Sequence, residues 1–282
     1  EANPDDLTEE YVAMLRTLPF NRISIGIQTF NDEMLQLLGR RHTARQAIEA
    51  VERCRRKGFN NLSIDLMYGL PGETDRQWNA DLQQALSLNA EHLSAYHLTY
   101  EKDTPLYRMT HLPRVDEESS VRFFTTLIDT LAAGGYEHYE ISNFCKPGFH
   151  SRHNSAYWQG VPYLGCGASA HSFDGTSRRW NIASLDRYIT GIEQRHPYYE
   201  TEQLDLSTRY NEYIMTGLRT KPGIRTAEIE ARFGTSLRSY CQKQAAPYIE
   251  SGKLSFTGGQ LSLTREGIFV SDGIISDLMF VE

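Results

Sequence analysis

The sequence of 282 residues holds only four cysteines, Cys54, Cys145, Cys166 and Cys241, and the closest two stand 21 residues apart. No CxxC or CxxxC unit exists, so neither a zinc knuckle nor a disulfide scaffold can be built from them. Reduced thiols are the plain reading. No apolar run approaches the roughly 20 residues of a bilayer span, and no signal-peptide pattern opens the chain. No GK[ST] follows its glycine-rich turn, which excludes a P-loop. Excess positive charge is lacking too. With a formal net charge of -7 the chain has no bulk attraction for nucleic acid, and none is expected as a partner. Low-complexity tracts are missing, and 40% apolar with 23% charged residues is the balance of a folded, cytoplasmic protein.

What is there begins with alternating helical and strand periodicities. LTEEYVAMLRTL reads as a helix that Asp5 or Asp6 can cap, and RISIGIQ (22–28) reads as a strand. NDEMLQLLG and ARQAIEAVERCRRKG read as helices, the second stopped by Gly58. NLSIDLMYG (61–69) is the next strand, DRQWNADLQQALSL the next helix, and HLSAYHLTY (92–100) a further strand. Strands joined by crossovers of this length run parallel. The pattern predicts an α/β fold, a partial (β/α) barrel over 1–145 rather than a closed eightfold one. EANPDD starts without Met and runs straight into a helix, like the end of a strand-to-helix loop. A fragment whose N-terminal strands are missing is therefore expected.

DEESSVRFFTTLIDTLAAGG reads as a helix and YEHYEIS as a strand. An aromatic, glycine-rich stretch from Phe144 to Phe173 reads mostly as loop, and with the linking helix NIASLDRYITGIEQ it fills the expected segment 146–200. Over 201–282, three helical segments and the hairpin signal of KLSFTGGQLSLT predict a small winged-helix-like accessory domain.

In such barrels the chemistry gathers at the C-terminal ends of the strands. That selects Gln28, Asp65, Tyr68, Thr99, Tyr100 and Glu101, with Glu1 at the matching place on a preceding strand, and all are expected to face one pocket. Arg40, in LGRRH, is either a surface charge or a planar clamp for a carboxylate. A carboxylate on a buried strand, as expected for Asp65, needs paired donors, which ribose hydroxyls can supply. LMYGLPGET (66–74) is either a tight turn or a place where a ligand approaches the backbone. RHNSAYW (152–158) sets His153 beside Tyr157 and Trp158. An imidazole and two flat rings within six residues make either a ligand site or an aromatic patch with a few polar partners. The plainer alternative has His153 and Asn154 satisfying backbone groups while Trp158 fills the core.

Taken together, E-x-N-P, NRISIGIQTF, LLGRRH, NLSIDLMYGLPGET, EHLSAYHLTYE, YEISNF, RHNSAYW and YLGCGASAHS resemble the radical S-adenosylmethionine family in its coproporphyrinogen group. That group contains oxygen-independent coproporphyrinogen III oxidases and the HemW-type haem chaperones. The resemblance runs from Glu1 almost to the C-terminus. It implies a [4Fe–4S] cluster on a CxxxCxxC motif, which this sequence does not contain, so the chain resembles a member without its first part and is not expected to perform radical chemistry. It also implies S-adenosylmethionine contacts at Glu1, Gln28, Arg40, Asp65, Thr99 and His171. The H-N-x-x-Y-W string is similar to that of the chaperone branch, where it is associated with haem. This implies haem contacts at His153, Tyr157 and Trp158, with His153 on the iron, His171 as a rival ligand, and client haemoproteins as partners. Oxidative decarboxylation of coproporphyrinogen III to protoporphyrinogen IX is the enzymatic alternative.

Overall fold

The computed structural model describes residues 1–281, and the chain forms two compact units, Glu1–His150 and Ser151–Glu282. The first contains α1 (Glu9–Thr17), β1 (Ile23–Gln28), α2 (Asp32–Leu37), α3 (Ala44–Arg56), β2 (Leu62–Tyr68), α4 (Asp75–Ser87), β3 (His92–His97), α5 (Pro105–Arg108), α6 (Glu117–Ala133), β4 (Glu137–Glu140) and β5 (Asn143–Cys145). Its strands form one open sheet in the order β1-β2-β3-β5-β4. The pairs β1·β2 and β2·β3 are parallel, as the helical crossovers require, while β5 runs antiparallel to both neighbours. YEHYEIS thus holds only β4. The chain turns at Ile141 and Ser142, and NFC returns as a strand where the sequence suggested a loop.

Residue alternation divides this sheet cleanly. Ile23, Ile25, Ile27, Leu62, Ile64, Leu66 and Leu93 are buried on one face. The same unit buries Ala47, Val51 and Cys54 of α3, Trp78 and Leu82 of α4, and Phe123, Leu127 and Leu131 of α6. Burying each of the Val, Leu, Ile and Phe side chains contributes about 1.5–3 kcal/mol. The register aligns Ser24 with Ser63, Gly26 with Asp65, Asp65 with Ser94 and Ser63 with His92, so the opposite face is polar. Parallel strands are usually apolar on both faces. A polar inner face therefore has to be satisfied by its own network or by a ligand.

The helices start where the sequence provides caps. Thr43 with Gln46 and Thr74 with Gln77 form capping boxes at α3 and α4. The cap of α1 is Thr8 rather than Asp5 or Asp6. Pro4 starts a single 3-10 turn, Pro4–Asp6, whose two carboxylates pair with Arg41 instead.

The second unit contains α7 (Arg152–Trp158), β6 (His171–Phe173), β7 (Ser177–Asn181), α8 (Leu185–Gln194), β8 (Tyr199–Gln203), α9 (Leu206–Leu218), β9 (Ile224–Arg225), α10 (Thr226–Phe233), α11 (Thr235–Glu250), β10 (Leu254–Thr257), β11 (Gln260–Leu263), α12 (Arg265–Ile268) and α13 (Ser271–Leu278). β6, β7 and β8 form an antiparallel sheet, and β10-β11-β9 forms another. The latter shares a core with α9, α10, α11 and α13 that includes Tyr210, Ile214, Phe233, Cys241, Leu261 and Ile275. Four helices and a three-stranded sheet thus share one core, and the hairpin expected at KLSFTGGQLSLT is β10–β11. RHNSAYW differs from its expected loop. It is the helix α7, whose cap Ser151 accepts from the Asn154 amide.

Candidate functional site

Two places in the fold gather the residues singled out by the sequence. The first is a cleft of about 350 Å³ lined by Glu1, Ala2, Asn3, Asp6, Ser24, Gly26, Gln28, Arg40 and Asp65. Ala2 brings Glu1 there by pairing with β1: its N–H donates to Ser24 O, and Gly26 N–H donates to Ala2 O. Arg40 lies across the cleft and donates from Nη2 to Asn3 Oδ1 and to Gly26 O, both at 2.7 Å. A Cβ at Gly26 would lie 3.0 Å from Gln28 Nε2 and 3.3 Å from Arg40 Nη2, so any larger residue there would have to push both side chains aside. Asp65 accepts from Ser24 Oγ at 3.2 Å. Burial raises its carboxyl above the usual range, against the pull of the Ser94 and Ser24 hydroxyls.

Four of the selected residues, Glu1, Gln28, Arg40 and Asp65, therefore share one cleft. Thr99 is exposed in the segment after β3 and is not part of this lining. Tyr68 belongs to the apolar face, where its ring meets Trp78 and Phe124. Sequence reasoning missed Asn3, Ser24 and Gly26. Extending the period-2 reading of RISIGIQ back from Gln28 would have found the last two.

The GLPGET turn is closed upon itself. Gly69 has φ +74° and faces the His97 ring, which a Cβ would meet at 2.6 Å. Its N–H and that of Leu70 both donate to Glu73 Oε2, at 2.7 and 3.1 Å. The tight-turn reading is the one this geometry supports. Burial pushes Glu73 up to about 7 despite those bonds. A carboxyl raised in the folded state stabilises below its unfolded pKa of 4.5, and that contribution is lost as pH rises through 7. Glu73→Gln keeps an oxygen for both amides and abolishes the ionisation. Urea denaturation at pH 8 is expected to show a gain of about 2–3 kcal/mol that vanishes below pH 4.5; a gain independent of pH would refute the cause.

The second place lies in the other unit. The exposed His153 ring meets Tyr157 edge-on with centroids 4.9 Å apart, and Tyr157 meets Tyr163 at 4.7 Å. Around this ladder Tyr157 is 42% exposed, Val161 44% and Leu164 70%. Trp158 is half-buried, and its indole Nε1 is buried without a hydrogen-bond partner. His171 is exposed on β6, its ring 6.3 Å from that of Trp180.

The Radical SAM superfamily model matches residues 1–85, and the HemN C-terminal domain model matches residues 204–270. The Heme chaperone HemW of Bacillus subtilis is 36% identical over 273 residues, which span 95% of this chain and 72% of that protein. The chain belongs to the HemW family of radical SAM proteins. The Heme chaperone HemW of Mycobacterium tuberculosis is 30% identical across 99% of this chain and 70% of that protein. The fold of this HemW-family chain is also that of the radical SAM coproporphyrinogen III oxidase HemN from Escherichia coli. The TM-score is 0.81 at 21% identity, covering 99% of this chain and 68% of that one.

Radical SAM proteins use S-adenosylmethionine and a [4Fe–4S] cluster, and this HemW-family chain fits the two differently. The cleft fits the nucleoside: a half-buried carboxylate faces it beside a guanidinium and an amide. The thiols do not fit the cluster. Cys54, Cys145 and Cys241 are buried, and burial pushes each up to about 11, while Cys166 stands alone at the surface. No three His, Cys, Asp or Glu side chains among the described residues gather as metal ligands. No helix among them is long and apolar enough to cross a membrane.

Proposed function

We propose that this chain is a haem chaperone. Its first unit binds S-adenosylmethionine, its second binds haem, and the haem passes from it to client haemoproteins. The observation that carries the reading is the His153–Tyr157–Tyr163 ladder, exposed at His153 and Tyr157, with the exposed Val161 and Leu164 close by in sequence. An axial imidazole beside an uncovered apolar and aromatic surface offers a porphyrin both its iron ligand and its plane. In the cleft, Asp65 takes the ribose hydroxyls, and Arg40 and Gln28 hold the carboxylate and ribose ends. Glu1 takes the methionine amine or the adjacent ribose. Tyr157 and Trp158 offer flat apolar faces to the porphyrin. The matching organisation has three parts, a barrel segment over 1–145, a haem segment over 146–200 and an accessory domain over 201–282. Oxidative decarboxylation of coproporphyrinogen III has only the likeness of fold in its favour.

Haemin titration followed at the Soret band tests the chaperone reading. The parent chain is expected to shift the band, and His153→Ala to weaken binding at least about tenfold, with His171→Ala close to the parent. Loss in His171→Ala alone would move the iron ligand to that residue. No shift with any of the three proteins would end the haem reading.

A further inference from the structure

We propose that His42 and Asp81, two buried polar side chains outside the cleft, are positioning residues that hold the end of β1 in the turn that delivers the Gln28 amide to it. The inference rests on the S-adenosylmethionine reading of the cleft and adds the part of the protein that keeps the cleft in shape.

The starting observation is backbone strain. Gln28 has φ +73°, a left-handed conformation that side chains other than glycine seldom adopt. The register between β1 and β2 slips between Gly26 and Gln28, so Ile27 is the extra residue of a bulge. Such strain persists only where the surroundings over-determine it, and it concentrates at ligand-binding positions.

Here the surroundings grip the turn from two sides. The Ile27 carbonyl accepts from His42 Nε2 at 3.1 Å. A carbonyl only accepts, so Nε2 carries the proton and Nδ1 is left as an acceptor, buried without a partner. On the other side the Thr29 hydroxyl donates to Asp81 Oδ2 at 2.6 Å, and the Phe30 N–H to Asp81 Oδ1 at 3.0 Å. The Asn31 N–H then donates to Thr29 Oγ1 at 3.1 Å, which links the turn to the start of α2.

His42 is 3% exposed and Asp81 5%. Burial drives the histidine down and the aspartate up, so neither is an inexpensive choice for the core. Apolar residues of similar volume often stabilise such places better. What the polar pair achieves is fixation of residues 27–31. The Gln28 amide packs over Gly26 next to Arg40, so a relaxed turn would withdraw it from the cleft.

Calorimetric titration of S-adenosylmethionine into the whole chain tests this through a double-mutant cycle. His42→Leu, Asp81→Leu and Gln28→Ala are each expected to weaken binding about tenfold. Adding His42→Leu to Gln28→Ala should cost nothing more, because the histidine acts through that amide. His42→Gln, which keeps an N–H donor, should restore part of the affinity, and with Asp81→Asn it replaces any leucine variant that fails to fold. Additive losses, or leucine variants that bind like the parent, would overturn the proposal. If the parent chain does not bind, the cleft reading fails and the clamp is judged by hydrogen exchange. Faster exchange in His42→Leu confined to residues 26–31 sustains it; exchange that is unchanged, or faster throughout β2 and β3, overturns it.

Discussion

As pH falls below 6.5 the chain is expected to lose stability relative to its His92→Phe variant, because His92 must stay neutral. His92 is 1% exposed on the polar face of the sheet. Its Nδ1 pairs with Ser63 Oγ and its Nε2 with the Tyr139 hydroxyl, both at 2.8 Å. Either neutral tautomer is satisfied, since each hydroxyl can donate or accept. Burial lowers the imidazole to about 3, and the positive charges of Arg22 and His150 add to the effect. The unfolded chain therefore takes up a proton near 6.5 that the folded chain refuses. The contribution is complete above 6.5 and is lost as pH falls through the folded value, up to about 4–5 kcal/mol in all. Asp65, Glu73 and Asp81, with raised carboxyls, act in the opposite direction, so the net curve is not diagnostic. The comparison with His92→Phe is. Below pH 6 the parent should lose close to one proton's worth more stability, about 1.4 kcal/mol per pH unit. Urea denaturation reads this from Trp78 once Trp158 and Trp180 are replaced by Phe. Parallel curves for parent and variant would refute it.

The polar face that holds His92 also shows what could be read before the fold was known. The alternation of RISIGIQ and NLSIDLMYG placed the strands, and the strand-end rule drew Gln28 and Asp65 towards one site. Arg40 joined them because a planar cation after a helix suits a carboxylate. What remained hidden depends on register. Nothing local aligns Gly26 with Asp65 or Ser63 with His92, since those pairings belong to residues 39 and 29 positions apart. The bulge at Ile27 was invisible because neither Gln28 nor its neighbours carry the glycine that usually announces φ > 0. NFC was taken for loop because three residues offer too little alternation to distinguish a strand. RHNSAYW failed for a different reason: its helix is seven residues long, its cap lies just before the quoted string, and its aromatics masked the periodicity.

Removal of the Trp78 side chain is expected to have the largest effect on the apolar face. The indole is fully buried on α4 and donates from Nε1 to the Phe123 carbonyl of α6 at 2.9 Å. Its ring also meets Tyr68 of β2 at 5.4 Å, and Tyr68 stacks on Phe124 at 6.1 Å. One side chain thus joins two helices to a central strand. Trp78→Ala removes the transfer energy of the ring and leaves a cavity that three fixed elements cannot close, at a cost of about 3–5 kcal/mol. Trp78→Phe keeps most of the ring and loses the hydrogen bond, at about 1–2 kcal/mol. The chain has two compact units, so whole-chain melting would blend their transitions. Hydrogen exchange of β2 amides isolates the first. Protection there should fall on the order of a hundredfold to a thousandfold in Trp78→Ala, with α9–α11 unchanged. A loss of less than tenfold would mean that the α4–α6 layer can close over the gap. Trp78 would then be an ordinary core residue rather than the joint between sheet and helices.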